Sequence, residues 1–453
     1  MNAQALTLVQ LGAAAAFIIG LRRLGSPRTA RSGNRIAAAG MLIAVLTTVG
    51  TAGVAWWVVA AGLGTGAVLG IVAAIRVQMT AMPQLVALLN GFGGAASGLV
   101  AGVAFVGRDG FATDTMVSMV ASIVVGGITV TGSIIAFAKL QGILRGAPIT
   151  FPLQRIVNGL LGLGLVATAV WAGVTQSPTG FLAVAAVALV MGISLVLPIG
   201  GADMPVVISL LNSLSGVAAA AAGFVIQSPI LIIGGALVGA SGLILTTLMT
   251  KAMNRPLSNV LFAAFGSNET ATASAVSGDV RATSAEDVAI AVAYASRVLV
   301  VPGYGLAVAQ AQHAVRSLAT ALEARGVEVL YGIHPVAGRM PGHMNVLLAE
   351  ADVPYDRLLD LEQANAALDR TDVALVLGAN DVVNPAAREP GSPIYGMPII
   401  EVDKATTVVV VKRSMASGFA GIDNPLFTKD ATVMLFADAK QALIDVQAGL
   451  EDL

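Results

Sequence analysis

Long apolar stretches recur through the first part of the chain, and each is close to the roughly 20 residues that an α-helix needs to cross a bilayer. They lie at about residues 3–21, 36–53, 54–76, 84–107, 115–140, 155–174, 180–198, 204–226 and 229–252. The first stretch could be mistaken for a signal peptide, but no basic segment precedes it and further spans follow. We therefore predict an α-helical polytopic membrane bundle of about nine spans.

The charged residues are distributed unevenly along the chain. Only 11% of the 453 residues are charged, whereas a soluble globular protein carries about 25%. Residues 1–255 contain 12 Lys/Arg and three acids (Asp109, Asp114 and Asp203), and the other 13 basic and 23 acidic residues follow. This shift predicts a transmembrane domain at 1–255 and a soluble domain at 286–453. The Ala-, Ser-, Thr- and Gly-rich residues 256–285 between them are interpreted as a linker.

Overall composition excludes several classes of function. The net charge of −1 gives no general reason to expect nucleic-acid binding. The chain has no cysteine, which excludes disulfides, thiolate metal ligands and thiol catalysis.

Basic residues in the loops predict the orientation in the membrane. With the N-terminus outside, the inner loops would carry eleven Lys/Arg and the outer loops only Arg108. Such a bias is the positive-inside pattern. Trp56, Trp57 and Trp171 fall near the predicted outer ends, as expected of an aromatic belt. An odd number of spans then places the C-terminal domain in the cytoplasm.

One internal repeat stands out among the spans. Residues 81–90 match residues 203–212, and each copy has a Met-Pro pair near the start of a helix and an asparagine two turns later (Asn90 and Asn212). Polar side chains inside a membrane should face the bundle or a water-filled cavity. Asn90, Asn212 and Ser133 could therefore line a proton pathway, or could serve only as hydrogen bonds between helices.

Asp203 is the only acid in the inner half of the predicted membrane domain. Its position at a helix N-terminus would favour its charge through the helix dipole. It is also the only carboxylate placed to link a membrane cavity to the cytoplasm.

The soluble part has an α/β pattern. Short apolar runs predict strands at 298–301, 327–331, 373–377, 398–402, 406–411 and 433–436. Helices are predicted at about 285–296, from the turn after the first strand to about Arg325, and from about Ala439 to the end, the first of them opened by a capping box at Ser284–Asp287. Alternating strands and helices predict a Rossmann-like, doubly wound parallel sheet.

A glycine-rich turn follows the first predicted strand. Gly303 and Gly305 fit a phosphate-binding turn, in which the second glycine lets the backbone approach a pyrophosphate and the helix N-terminus favours its charge. Val308 occupies the place of the third glycine of the usual fingerprint, so the motif alone is weak.

The residues after the second and fifth predicted strands favour NADP over NAD. An NAD-binding fold usually shows an acid after its second strand, but here the chain carries Arg339 and no acid. Lys412, Arg413 and Ser414 follow the fifth predicted strand and suit a 2′-phosphate, since Arg offers a fork of donors and Lys a point charge. The alternative is a solvated charged loop.

Several long motifs together resemble the β subunit of the proton-translocating NAD(P) transhydrogenases. They lie at residues 303–312, 332–345, 378–386 and 412–415 of the soluble part and at residues 200–205 of the membrane part. The resemblance covers essentially the whole chain.

The resemblance implies that the C-terminal domain binds NADP(H) in an orientation flipped relative to ordinary dinucleotide folds. Asn380 and Asp381 would lie near the nicotinamide and its ribose and form the catalytic pair. The residues around the pyrophosphate, the nucleotide and its 2′-phosphate would be Gly303, Tyr304, Gly305, Val308, Ala309, Val336, Ala337, Gly338, Arg339, Met340, Gly378, Ala379, Lys412, Arg413 and Ser414. A lid over the nucleotide would be formed by Gly418, Phe419, Ala420 and Gly421. Family members often have tyrosine at the position of Phe419.

The implied reaction is hydride transfer from NADH to NADP+, coupled to inward proton movement across a bacterial inner membrane. The NAD(H) site and additional membrane helices would belong to partner α subunits, and the assembled complex would be a dimer. No metal or protein nucleophile is needed, because the nicotinamides carry the chemistry. Asn90, Ser133 and Asn212 would line the proton path and Asp203 would couple it. Since some relatives have histidine where Asn90 stands, the titrating group is expected on a partner helix. The alternative left open is a transporter or channel gated by a cytoplasmic domain that senses NADP(H).

Overall fold

The apolar stretches form long helices in the computed structural model of the chain, which describes residues 3–51, 55–106, 110–146, 148–254, 256–262, 279–338, 342–392, 394–416, 418 and 422–453. Within these ranges, nine helices are long and apolar enough to cross a membrane. They are α1 (Ala3–Leu24), α2 (Pro27–Thr51), α3 (Trp56–Arg76), α4 (Met82–Val106), α5 (Thr113–Leu140), α6 (Gln154–Thr175), α7 (Pro178–Val196), α8 (Met204–Val225) and α9 (Pro229–Ala252). The predicted polytopic bundle is confirmed. Only the start of α2 lies well before the predicted position.

Local signals fix several of the helix starts. The Ser177 hydroxyl accepts a hydrogen bond from the Gly180 N–H (3.2 Å) and Pro178 follows at the first helical position, so α7 begins with a capped first turn. The two copies of the internal repeat begin alike. A single 3-10 turn, Met79–Ala81 in one copy and Gly201–Asp203 in the other, precedes each helix.

Small residues let the helices approach closely. A Cβ on Gly126 of α5 would lie 2.6 Å from the Gly94 carbonyl oxygen of α4, and a Cβ on Gly216 of α8 would lie 2.4 Å from the Gly239 nitrogen of α9. Any larger residue at these crossings would push the backbones apart. Helix α5 packs against α4, α7 and α8. The Gly-rich composition of the spans therefore serves close packing at these positions.

Most residues up to Thr247 form one compact unit, and most residues from Leu248 onwards form a second. Parts of the segment interpreted as a linker are described in the structure. It contains the short helix α10 (Leu257–Phe262). Near its end, the Thr283 N–H donates to the Met434 carbonyl oxygen (3.0 Å) and the Met434 N–H donates to that of Arg281 (2.8 Å). Backbone pairing at the sheet edge thus orders residues that their composition assigns to a linker.

The second unit contains a six-stranded, fully parallel sheet within the described residues. Its elements in chain order are α11 (Ala285–Ala293), β1 (Arg297–Pro302), α12 (Tyr304–Val308), α13 (Gln312–Ala324), β2 (Glu328–Gly332), α14 (His343–Glu350), β3 (Leu358–Leu359), α15 (Leu361–Leu368), β4 (Val373–Leu377), β5 (Thr407–Lys412), β6 (Thr432–Phe436) and α16 (Ala439–Glu451). The strand order is β3-β2-β1-β4-β5-β6. This is the doubly wound, Rossmann-like order, so the predicted fold class is confirmed.

Two predictions about individual elements are wrong. Residues 398–402 do not form a strand: Pro398 has no N–H, and the N–H groups of Ile400 and Glu401 donate to the Val382 carbonyl and to Asn365 Oδ1. The apolar side chains of Ile399, Ile400 and Val402 are buried in the core without strand pairing. The helix predicted to run on to Arg325 is broken at Gln310, which has a left-handed φ of 49°.

Candidate functional site

The site predicted at the first glycine turn lies where the strand order reverses. Strands β1 and β4 are neighbours in the sheet, while the chain proceeds from them in opposite directions, to β2 and to β5. Open α/β sheets bind ligands in the crevice at such a switch point, beyond the carboxyl ends of the strands. Gly303 follows β1 and Gly378 follows β4, so both glycines lie at this edge.

The two loops at the switch point touch through their backbones. The Gly303 N–H donates to the Leu377 carbonyl oxygen and the Gly305 N–H to that of Gly378, both at 2.9 Å. A Cβ on Gly303 would lie 2.4 Å from the Ala379 nitrogen, and one on Gly305 would lie 2.6 Å from the Gly378 Cα. Gly378 also has a φ of +63°. These three positions require glycine, partly to let the loops cross and partly for the left-handed turn.

The helix that opens at the glycine turn is shorter than the fingerprint suggests. Helix α12 contains only the five residues from Tyr304 to Val308, and Val308 itself is exposed. A helix dipole summed over so few peptides is small. A phosphate here would therefore depend on individual backbone N–H groups more than on a helix N-terminus.

The loop after β2 is anchored by a buried histidine. His334 is 1% exposed; its Nε2 donates to the Pro398 carbonyl oxygen (2.7 Å) and its Nδ1 accepts from the Val336 N–H (3.2 Å). Burial lowers the pKa of His334 to about 4, although the bond to Pro398 acts in the opposite direction. The ring is therefore neutral at pH 7, and it fixes Val336 and Ala337 beside β2. Arg339 and Met340 lie outside the described residues.

In the same loop, Gly338 packs against a second buried histidine, His343. Gly338 has a φ of +98°, and a Cβ there would lie 2.5 Å from His343 Nδ1. The His343 ring in turn lies 6.5 Å, centroid to centroid, from the ring of Tyr304. The predicted loops after β1 and β2 are thus linked through His343.

The residues predicted to hold a 2′-phosphate lie at the end of β5. Lys412 is half-buried, its Nζ donates to the Ala416 carbonyl oxygen (2.7 Å) and lies 4.9 Å from the centroid of the Phe427 ring. Burial lowers the pKa of Lys412, while the nearby charge of Asp381 opposes that shift. Arg413 and Ser414 are exposed.

Asn380 and Asp381 meet the first residue of the predicted lid. A Cβ on Gly418 would lie 2.4 Å from Asp381 Oδ1 and 2.6 Å from Asn380 Nδ2. Gly418 therefore sits directly on the side chains of the predicted catalytic pair. Phe419, Ala420 and Gly421 lie outside the described residues.

Two further asparagines, which the sequence analysis did not single out, brace this loop. Asn384 is fully buried; its Oδ1 accepts from the Ala386 N–H and its Nδ2 donates to the Asp423 carbonyl oxygen (3.1 Å). Asn424 is 3% exposed; its Oδ1 accepts from the Leu426 N–H and its Nδ2 donates to Asn380. Both precede a proline, and the Asn-Pro pair is a turn signal that could have identified them.

In the helical unit the structure brings two of the predicted pathway residues together. The Asn90 Nδ2 donates to the Ile208 carbonyl oxygen of α8 (3.1 Å). Ser133 of α5 is fully buried, and its Oγ has no hydrogen-bond partner among the described residues. A Cβ on Gly91, next to Asn90, would lie 3.2 Å from the Ser133 Cβ. Asn212 is half-buried one helical turn after Ile208.

Three further polar side chains of the helical unit are Asp203, Ser122 and Lys139. The sequence did not point to a functional role for Ser122 or Lys139. Asp203 is 9% exposed and directly precedes α8. The Ser122 hydroxyl of α5 lies within hydrogen-bond distance of the carbonyl oxygens of Ser97 (3.0 Å) and Ala218 (3.2 Å), which joins α4, α5 and α8. Lys139 is 4% exposed, and its Nζ donates to the carbonyl oxygens of Leu197 (2.5 Å) and Ile199 (2.6 Å).

Comparison with known proteins gives a consistent result across the whole chain. The family described as NAD(P) transhydrogenase beta subunit matches residues 6–448. The NAD(P) transhydrogenase subunit beta of Rhodospirillum rubrum is 52% identical over 440 residues, and the alignment covers 94% of each chain. The protein of the same name from a designated strain of that species shows the same identity and coverage. The similarity spans both the helical unit and the α/β unit.

Proposed function

The chain belongs to the NAD(P) transhydrogenase β-subunit family, and we propose that its α/β unit is the part that binds NADP(H). Membership in this family makes the chain a multi-pass subunit of the proton-translocating transhydrogenase. Residues 286–453 form this nucleotide-binding domain in the proposal, and residues 1–255 form the proton-translocating domain. The hydride acceptor is NADP+ and the donor is NADH on the partner α subunit.

One observation carries the assignment of the nucleotide site. A donor (Asn380), a carboxylate (Asp381) and a cation (Lys412) gather at the same sheet edge as the glycine crossing. The Asn380 Nδ2 is buried and has no hydrogen-bond partner among the residues that the structure describes. A buried donor without a partner costs about 1–3 kcal/mol, so it favours a ligand that accepts a hydrogen bond there. These residues fit a nicotinamide nucleotide.

The end of β5 supports the phosphorylated coenzyme. Arg413 and Ser414 are exposed at the carboxyl end of a strand, and Lys412 lies beside them. A guanidinium, an ammonium and a hydroxyl together match the charge and acceptor oxygens of a 2′-phosphate. In our proposal, Gly303–Gly305, Val308, Ala309 and residues 336–340 surround the pyrophosphate region, and residues 418–421 form the lid.

The protein contributes binding, orientation and exclusion of water. The bound nicotinamide ring supplies the hydride chemistry, so no side chain needs to act as a nucleophile. Asp381 and Asn380 orient the ring and its ribose, and Gly418 closes over them. The described part of the chain contains one dinucleotide-type sheet, which supports an NAD(H) site on the partner.

The helical unit is proposed to carry the proton. Ser133 supports this role, because a buried hydroxyl without a partner among the described residues favours a polar partner such as a water molecule. Asn90 and Asn212 would line the same proton path, with Asp203 as the coupling group at the N-terminal end of α8. The excess of basic residues in alternate loops supports a bacterial inner-membrane orientation with the N-terminus outside. The resemblance supports a dimer of the assembled complex.

Nucleotide affinity of the assembled complex tests the NADP(H) site. We expect wild-type protein to prefer NADP+ to NAD+, and Arg413→Ala to reduce that preference by about ten- to a hundredfold through loss of a charge-assisted bond. Arg370→Ala is a matched control, because Arg370 is an equally exposed arginine that precedes β4, at the opposite edge of the sheet. Equal binding of the two coenzymes by the wild-type complex would contradict the assignment. NADPH formation in the presence of NADH then tests the reaction itself.

A further inference from the structure

Two asparagines at the nucleotide site form a relay whose orientation is fixed from one end. The Leu426 backbone N–H can only donate, and its partner at 3.0 Å is Asn424 Oδ1. The other end of the Asn424 amide must therefore be the NH2 group. That group donates to the Asn380 carbonyl oxygen (3.1 Å) and to Asn380 Oδ1 (3.2 Å).

The relay determines which way the Asn380 amide points. Its Oδ1 faces Asn424 because only an oxygen can accept there, so its NH2 group faces the opposite side. On that side it lies under Gly418, beside Asp381 Oδ1. Since Asn424 is 3% exposed and held by three hydrogen bonds, neither amide can rotate without breaking the relay.

The charge beside the Asn380 NH2 group determines which kind of ligand group can accept its hydrogen bond. The carboxylate of Asp381 lies next to it, and a phosphate placed there would be repelled. A neutral acceptor that can also donate to a carboxylate, such as a carboxamide or a ribose hydroxyl, matches both groups.

We propose that Asn424 is a positioning residue that locks Asn380, so that the Asn380 NH2 group donates a hydrogen bond to a neutral acceptor oxygen on the nicotinamide half of the coenzyme. This inference rests on the proposed function, which places Asn380 and Asp381 beside the nicotinamide and its ribose. Family membership alone gives no role to Asn424 and does not say whether Asn380 donates or accepts the hydrogen bond to the coenzyme.

Three variants test the relay. Asn424→Asp keeps the oxygen that accepts from the Leu426 N–H but presents a carboxylate oxygen to Asn380, which favours rotation of the Asn380 amide. Asn380→Asp keeps the acceptor for Asn424 and replaces the NH2 group with oxygen. Asn424→Ser keeps an acceptor for Leu426 and merely removes the lock. Asn384→Asp is the matched control, because Asn384 is an equally buried cap whose side chain bonds to Asp423 and Ala386 rather than to Asn380.

The measurement is equilibrium binding of two ligands to the full complex with its α subunit. One ligand is NADP+, and the other is adenosine 2′,5′-bisphosphate, which lacks the nicotinamide half. Asn424→Asp and Asn380→Asp should each weaken NADP+ binding by about tenfold and leave the fragment unaffected. The NADP+ affinity of Asn424→Ser should lie between that of these two variants and that of the wild type. The double variant Asn380→Asp/Asn424→Ser should bind NADP+ no more weakly than Asn380→Asp alone, because the lock has no effect once the NH2 group that it orients is gone.

Other outcomes overturn the inference. Additive losses, equal weakening of NADP+ and the fragment, wild-type affinity in Asn424→Ser, or the same selective loss in Asn384→Asp would each show that Asn424 does not orient Asn380. If Asn424→Asp fails to assemble, Asn424→Ser and Asn380→Asp decide the result. Failure of the proposed function would look different, since the wild-type complex would then bind neither ligand.

Discussion

His334 illustrates how burial sets the state of a single residue in this protein. Its two ring nitrogens are both used, one as donor to Pro398 and one as acceptor from Val336, and this requires the neutral ring. The pKa of about 4 in the folded protein lies below the ordinary value of 6.5, mainly because of burial. Stability from the neutral ring is thus fully present above pH 6.5 and is lost as the pH falls towards 4.

We predict that the loop after β2 loosens in acid. The shift corresponds to about 3 kcal/mol of stability lost by pH 4, so amide hydrogen exchange of residues 333–338 should accelerate between pH 6.5 and 4 after correction for the intrinsic rate. His334→Gln, which keeps a donor and an acceptor but cannot titrate, should remove the acid dependence. His313→Gln, at an exposed position on α13, should leave it unchanged. Acid dependence that persists in His334→Gln would assign it to another group.

Residue types predicted some parts of this site but not others. Lys412 and Arg413 could be placed from sequence, because a cation after a strand lies at the edge where ligands bind. The role of Asn424 could not, since its partner Asn380 is 44 residues away and the orientation of both amides depends on Leu426. Charge at a strand end is a local property, whereas hydrogen-bond direction belongs to the folded network.

At the scale of elements, the crossing of the loops after β1 and β4 controls the geometry of the switch point. The N–H groups of Gly303 and Gly305 donate across it to Leu377 and Gly378. Any side chain at Gly305 or Gly378 would separate the loops, because the hypothetical Cβ atoms lie 2.6 Å and 2.4 Å from backbone atoms of the other loop.

We predict that Gly305→Ala and Gly378→Ala each reduce nucleotide affinity by about tenfold or more. Because both remove the same close approach, their effects in the double variant should be less than additive. Gly326→Ala is the control: Gly326 has a φ of +86° but open space around its Cβ position, so it should cost about 1 kcal/mol of stability without changing affinity. Nucleotide titration and thermal unfolding of the complex separate the two effects. Additive losses would mean that the two glycines act independently.

In the helical unit, Lys139 ties the end of α5 to the segment that carries Asp203. Its ammonium group donates to the carbonyl oxygens of Leu197 and Ile199, just after the end of α7. The Gly201 N–H in the same segment donates to the Gly146 carbonyl oxygen (2.7 Å). A cation near a helix C-terminus is also favoured by the helix dipole.

Lys139→Met should therefore release residues 197–203. The substitution leaves buried carbonyl oxygens without these donors, at a cost of about 2 kcal/mol, and hydrogen exchange in that segment should accelerate. Thr131→Val is the matched control, because the Thr131 hydroxyl donates to the Leu189 carbonyl oxygen between the same two helices but away from this segment. The role of Lys139 is refuted if Lys139→Met leaves exchange in residues 197–203 unchanged, or if Thr131→Val accelerates it equally.

The elements themselves differ in how far the sequence predicted them. The nine membrane helices and strand β4 follow from long or uniformly apolar runs, and these runs have few alternative structures. Strand β3 was missed because it has only two residues, Leu358 and Leu359. The expected strand at 398–402 failed because apolar character reports burial and not backbone pairing, and its N–H groups are taken by Val382 and Asn365.

For the whole molecule, the proposed function requires proton coupling to supply the bias of the reaction. The two nicotinamide coenzymes are nearly equal as hydride donors, so the chemical step alone favours neither direction strongly. One charge that crosses 100 mV is worth about 2.3 kcal/mol, or roughly a fortyfold shift in the equilibrium. The polar residues Asn90 and Ser133 in the helical unit and the proposed nucleotide site in the α/β unit are the two parts that such coupling would need.

Asp203 is the residue on which we expect this coupling to depend, since it is a largely buried carboxylate at the start of α8. In vesicles that contain the complete complex, Asp203→Asn should abolish the change in internal pH that accompanies NADPH formation and the response to an imposed gradient, while NADP+ affinity remains. Asp114→Asn is the control, because Asp114 is an exposed carboxylate at the start of α5. If the internal pH of Asp203→Asn vesicles changes by the wild-type amount per NADPH formed, the coupling group lies elsewhere. If even the wild-type complex interconverts the coenzymes without moving protons, the proposed link between the two units is wrong.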